Sequence, residues 1–115
     1  MNDFRGRHPL ILLFFAVLGA FSAVFHAFHV VFPSGETPIW RHTVFVGINI
    51  FFVWGMIHRP KYFEVFLWIL TLQQLFSHGT YLVRHFQEAA EVHWISAGVV
   101  VLMPICLIFY LKNPN

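Results

Sequence analysis

Apolar residues dominate four stretches of the chain. Each is long enough to cross a bilayer as a helix, which takes roughly 20 largely apolar residues. Leu10 to Phe32 contains no Asp, Glu, Lys or Arg, and Ser22, His26 and His29 are its strongly polar members. The second stretch runs from about 38 to 58. Thr37 is its candidate N-cap, and Pro38 takes the first helical position, where a missing N–H costs nothing. The third covers about 61 to 83 and the fourth about 92 to 111, with Pro104 predicting a kink. Connections at 33–36, 58–61 and 84–91 are short. The pattern predicts an all-α, polytopic membrane protein with one domain over 1–115, an antiparallel bundle of four transmembrane helices joined up-down-up-down.

Neither a soluble core nor a cleavable signal peptide accounts for the apolar runs. A soluble core needs a polar exterior, and the first helix has no polar face wide enough to meet water. Its backbone groups satisfy one another in a helix, as lipid requires. A signal peptide over 1–23 has suitable Arg5, Arg7, Ala20 and Ser22, but the apolar run continues through Val24, Phe25, Val30 and Val31, too long for a typical signal core.

Lys and Arg set the orientation. Arg5, Arg7, Arg59, Lys61 and Lys112 fall on one side, and Arg41 and Arg84 on the other. The positive-inside rule then predicts an inner (cytoplasmic) membrane protein with both termini cytoplasmic. Trp40, Trp68, Trp94 and Tyr110 lie near helix ends or headgroup depth and suit interface anchoring.

Composition narrows the chemistry. Charged residues make up 10% of the chain, against about a quarter in ordinary soluble domains, and the net charge is +2. That excludes disorder and a nucleic-acid-binding surface, leaving the lipid bilayer as the first partner. The single Cys106 excludes an intramolecular disulfide framework, a CxxC redox pair and a thiolate zinc cluster.

Histidine is the informative residue. Of eight, six fall in the outer half of the expected topology: His26, His29, His42, His78, His85 and His93. His8 and His58 fall on the cytoplasmic side, while Glu36, Glu88 and Glu91 also lie outside. At about 100° per residue, Gly19, Ser22, His26 and His29 share one stripe of the first helix, as do Thr71, Gln74, His78, Tyr81 and His85 on the third. His42 and Asn49 share a face of the second helix, and His93 and Ser96 a face of the fourth. Polar groups are costly against lipid, so the stripes are expected to face inward. His26 and His78 should both lie about 7–9 Å below the outer helix ends, with His29, His42, His85 and His93 in a shallower layer.

Convergent imidazoles from bundle helices are a common way to hold a metal. The leading expectation is therefore a zinc, copper or iron site from His26, His29, His78 and one of His42, His85 or His93. Ser22, Gln74, Asn49 and Ser96 would orient the rings, and Glu88 or Glu91 would act as ligand or support. The site would serve metal-dependent redox chemistry or metal handling. A second expectation is a non-catalytic accessory subunit of a larger membrane complex, with its polar stripes against another chain. The third is a b-type haem or quinol-binding subunit ligated by His26 and His78, with Gly19, Ala23 and Gly79 giving room to a macrocycle. A homo-oligomer is compatible with each.

Plainer roles stand beside these. A histidine near a helix end commonly makes an interfacial hydrogen bond. Gln74 and Asn49 suit helix–helix hydrogen bonds, and Gly19, Ala23 and Ala27 suit a close-packing ridge. Glu88 and Glu91 suit a solvated loop, with Arg84 as ion-pair partner.

Other activities lack their residues. The expected spans hold no central carboxylate, since Glu64 lies one turn into the third, which disfavours carboxylate-driven proton coupling but leaves a histidine relay open. Ser77 and His78 are adjacent on a helix and form no nucleophile–base pair. The ExxH pairs of a di-iron bundle are missing.

Overall fold

A computed structural model describes residues 9–33, 35 and 37–113. Arg5, Arg7, His8 and Glu36, used above for orientation and side, lie outside the described residues. Within them the regular elements are four helices: α1 (Leu10–Val31), α2 (Ile39–His58), α3 (Phe63–Ala89) and α4 (Trp94–Lys112). Three of these, α1, α2 and α4, are long and apolar enough to cross a membrane. The chain divides into two compact units, one built on α1 and α2 and the other on α3 and α4.

In the first unit α1 and α2 run antiparallel. Gly19 lies against Phe52 and Val53 in the middle of the pair, and His26 meets His42 near the connecting loop. Gly19 is where backbone approach is closest: a Cβ there would sit 2.6 Å from the Phe52 ring. The expected ridge of small residues is thus real at Gly19 but does not extend to Ala27, which is exposed. The Phe52 ring fills the space that a macrocycle would need at Gly19. Leu12, Phe15, Ala16, Phe52 and Met56 are buried with it.

The α2 start differs from expectation. Its N-cap is Pro38, extended at φ −58° and ψ 142°, with no side-chain cap, so Thr37 does not play that part. The helix ends on Arg59 in the left-handed region at φ 55°, whose N–H donates to the Gly55 carbonyl at 2.7 Å. Pro60 follows, as is common after a helix end.

In the second unit α3 and α4 also run antiparallel, with Phe63 edge-on to Tyr110 at 5.5 Å at one end and His78 bonded to Ser96 towards the other. Tyr110 is buried in this contact and is not an interface anchor, whereas Trp40 and Trp94 are well exposed. Helix α3 continues six residues past its expected end at 83, so most of the predicted 84–91 loop is helical. It closes on Ala90, again left-handed at φ 55°, with the Ala90 N–H on the Phe86 carbonyl. The α4 helix is continuous through Pro104.

Candidate functional site

Antiparallel pairing brings residues equally distant from a loop into contact. In the first hairpin His26 and His42 are such a pair, and their Nδ1 atoms lie 2.9 Å apart. Only one proton can occupy that bond, so one Nδ1–H donates and the other ring presents its Nδ1 lone pair. The two rings are 5.1 Å apart between centroids, and His26 also stacks on Phe45 at 5.3 Å. His42 is buried at the start of α2.

His29 is one turn further along α1. Its Nδ1–H donates to the Phe25 carbonyl at 2.9 Å, which leaves the lone pair of the neutral ring on Nε2. Its ring lies 5.1 Å from that of His42 and 4.4 Å from Phe25. A backbone carbonyl holding one ring nitrogen is the usual support for a histidine whose other nitrogen binds metal. Arg41, next to His42, places its guanidinium 5.7 Å from the Phe45 ring centroid. Ser22 is half-buried one turn before His26. Asn49 turns back on its own helix and donates to the Phe45 carbonyl at 2.8 Å, so it makes that bond within α2 and not across to α1.

The second hairpin gathers the other three outer histidines. Ser96 is almost completely buried, at 1% exposure, and its Oγ lies 3.0 Å from both His78 Nδ1 and His93 Nδ1. His93 is the N-cap of α4, where its Nδ1 accepts the Ser96 backbone N–H at 3.3 Å. His85 lies edge-on to His93 with centroids 5.6 Å apart, and its Nε2 is 4.0 Å from the Glu91 carboxylate. Tyr81 packs against both rings. Glu88 is exposed, and Gln74 is buried with its amide donating to Gln73 at 2.6 Å.

Two expectations change. His78 is eleven residues from the end of α3 and not five, roughly 16 Å along the axis. Counted from the helix ends, His26 and His78 therefore do not match, at five residues and eleven. Within its own unit His26 bonds to His42, and within the other His78 bonds to Ser96. Sequence reasoning under-weighted the His26–His42 pair, although the short α1–α2 loop centred near position 34 signals it.

Among the described residues, no three or more His, Cys, Asp or Glu side chains are grouped so as to hold a metal ion as they stand. His26 and His42 supply two nitrogens at contact distance, with His29 beside them. Comparison of the chain with protein-family models, with curated proteins and with solved structures finds no match.

Proposed function

We propose that the chain is a small integral membrane protein that binds a transition-metal ion on His26, His29 and His42, at the loop end of the first hairpin. The observation that carries this is the 2.9 Å separation of two imidazole nitrogens from facing helices. Nitrogens bound to one ion at about 2.0–2.1 Å are separated by about 2.9 Å at a right angle and about 3.3 Å at a tetrahedral angle. If the ring that donates the shared proton carried it on Nε2 instead, both rings would stay neutral, and a small turn of each would aim its Nδ1 lone pair at one cation with little movement of α1 or α2. The third ligand would be His29 through Nε2, the nitrogen whose lone pair its bond to the Phe25 carbonyl leaves available. A set of neutral imidazoles without thiolate suits zinc, copper or iron, and an open fourth position would admit water or an exchangeable ligand.

Four membrane spans fit the surface of α3, which is less apolar on average than the other helices. Its buried side includes Thr71 and Gln74, while Val65, Ile69, Leu72, Phe76 and Val83 are exposed. Polar groups inside and large apolar groups outside suit a helix solvated by lipid. Arg59 and Lys61 follow α2 at the end opposite the histidines. The positive-inside rule then sets the metal site on the extracytoplasmic side, with both termini cytoplasmic and the four helices antiparallel.

The test is elemental analysis with an absorption spectrum on protein purified in detergent. The proposal expects zinc, copper or iron near one per chain and no Soret band. It expects the metal to be lost in His26→Ala and His42→Ala and retained in His58→Ala, whose ring bonds the Trp54 carbonyl at the far end of α2. Metal-free protein, a haem spectrum, or equal loss in all three variants contradicts it.

A further inference from the structure

The second hairpin contains an ordered series of proton-carrying groups that the proposed metal site does not use. It begins at Glu91, whose side chain is 76% exposed in the loop between α3 and α4. His85 is its neighbour, His93 lies edge-on to His85, and Ser96 joins His93 to His78 through two 3.0 Å contacts. Beyond His78 the polar stripe of α3 continues through the buried Gln74 and Thr71. It is closed there by Leu67 and Phe63, both at 0% exposure.

We propose that Glu91, His85, His93, Ser96 and His78 form a one-ended proton relay between the α3–α4 loop and the interior of the second hairpin. Histidine and serine suit this because each can donate from one site while accepting at another.

The hydrogen bonds give the relay a resting direction. The Ser96 backbone N–H points at His93 Nδ1, so that nitrogen holds a lone pair. Ser96 Oγ–H shares that lone pair with the backbone N–H in a three-centre bond, and Ser96 Oγ accepts from His78 Nδ1–H. A proton leaves by this route when His78 is charged. Its Nδ1 proton passes to Ser96 Oγ as the Ser96 hydroxyl proton passes to His93 Nδ1. His78 ends neutral with its proton on Nε2, Ser96 is unchanged, and His93 carries the charge.

Uptake reverses each transfer. A doubly protonated His93 gives its Nδ1 proton to Ser96, whose own proton moves to Nδ1 of a neutral His78 that carries its proton on Nε2. While His93 Nδ1 is protonated it cannot accept the Ser96 N–H, so the α4 cap is broken. Inward transfer restores that cap and favours movement of the proton towards His78. Neither the 4.0 Å from Glu91 to His85 nor the ring contact of His85 with His93 is a hydrogen bond, and each of these handovers takes a ring rotation or a water.

Groups around His93 include Tyr81 and His85 from α3 and Ser96 from α4, while Glu91 from the loop faces His85. Because the stripe ends at Leu67, the relay supplies or drains protons at His78 and does not conduct across the hairpin.

The experiment is solvent exchange of the His78 ring proton, read by nitrogen-15 NMR of histidine-labelled protein in bicelles. Ser96→Ala removes the bridge, Ser96→Thr keeps a hydroxyl, and His93→Asn keeps an N-cap acceptor while removing a titrating ring. Exchange is expected to slow by about a hundredfold in Ser96→Ala and His93→Asn, the low end of what a positioned proton carrier contributes, and to stay near the parent rate in Ser96→Thr. Parent-like exchange in His93→Asn overturns the relay. So does equal slowing in Ser96→Thr and Ser96→Ala, which would assign the effect to packing. If Ser96→Ala fails to fold, the His93→Asn result decides.

Discussion

Single residues account for the local geometry at both histidine clusters. His29 and His58 donate Nδ1–H to carbonyls four residues earlier, a bond any helical histidine can make, and it fixes which nitrogen keeps the lone pair. His26 and His42 make a bond that only an antiparallel neighbour allows. Gly19 is the counterpart on the packing side, because its missing Cβ lets the Phe52 ring approach α1. Gly19→Ala forces that aromatic ring and Val53 to shift, and overpacking of this kind costs about 1–3 kcal/mol. Thermal unfolding in detergent should show the loss, while Gly47→Ala, where nothing lies within 4 Å, should cause no comparable steric loss. Equal effects at the two positions would remove Gly19 from the hairpin contact. The close approach at Gly19 was legible from residue size and spacing. The inward position of Tyr110 was not, because an aromatic near a helix end reads alike whether it faces Phe63 or a headgroup.

At the level of elements, the four helices were legible because long apolar runs leave few other options, but their ends were less so. Helix α3 outlasts its apolar pattern: Arg84, His85, Gln87 and Glu88 remain helical up to the left-handed Ala90. Polar residues with good helix propensity carry a helix past the point where hydropathy falls. At 27 residues α3 is about 40 Å long, more than the roughly 30 Å of bilayer hydrocarbon. Its last turns should therefore lie among headgroups or water while Phe76 faces lipid. Single cysteines placed in a Cys106→Ser background test this in proteoliposomes. Gln87→Cys should react quickly with a membrane-impermeant maleimide presented to its own side, and Phe76→Cys should be protected. Rapid reaction at both positions would show that α3 is not embedded.

The whole molecule joins an exposed apolar surface to histidines gathered at the loop ends of two hairpins. Large apolar side chains such as Phe21, Ile69 and Phe76 are exposed along helices whose buried positions include His42, Thr71, Gln74 and Ser96. An apolar exterior around an interior that holds polar as well as apolar side chains suits lipid as solvent, and it was visible in the sequence as polar stripes on apolar helices. The presence of three histidines towards the loop end of each hairpin was visible too. Their partners were harder to read, because the sequence gives the face of each helix and leaves open which faces meet. His26 and His78 shared a similar expected depth, whereas chain connectivity supplied His42 and Ser96 as their observed partners. In the proposed site His26 and His42 are brought together to share a cation. Its most direct test is calorimetric titration of the metal-depleted protein with zinc, alongside His42→Ala and His58→Ala. Saturation near one zinc per chain is expected in the parent and in His58→Ala, with binding weakened by about a hundredfold or more in His42→Ala. Undiminished zinc binding by His42→Ala, or no binding by the parent, would contradict it.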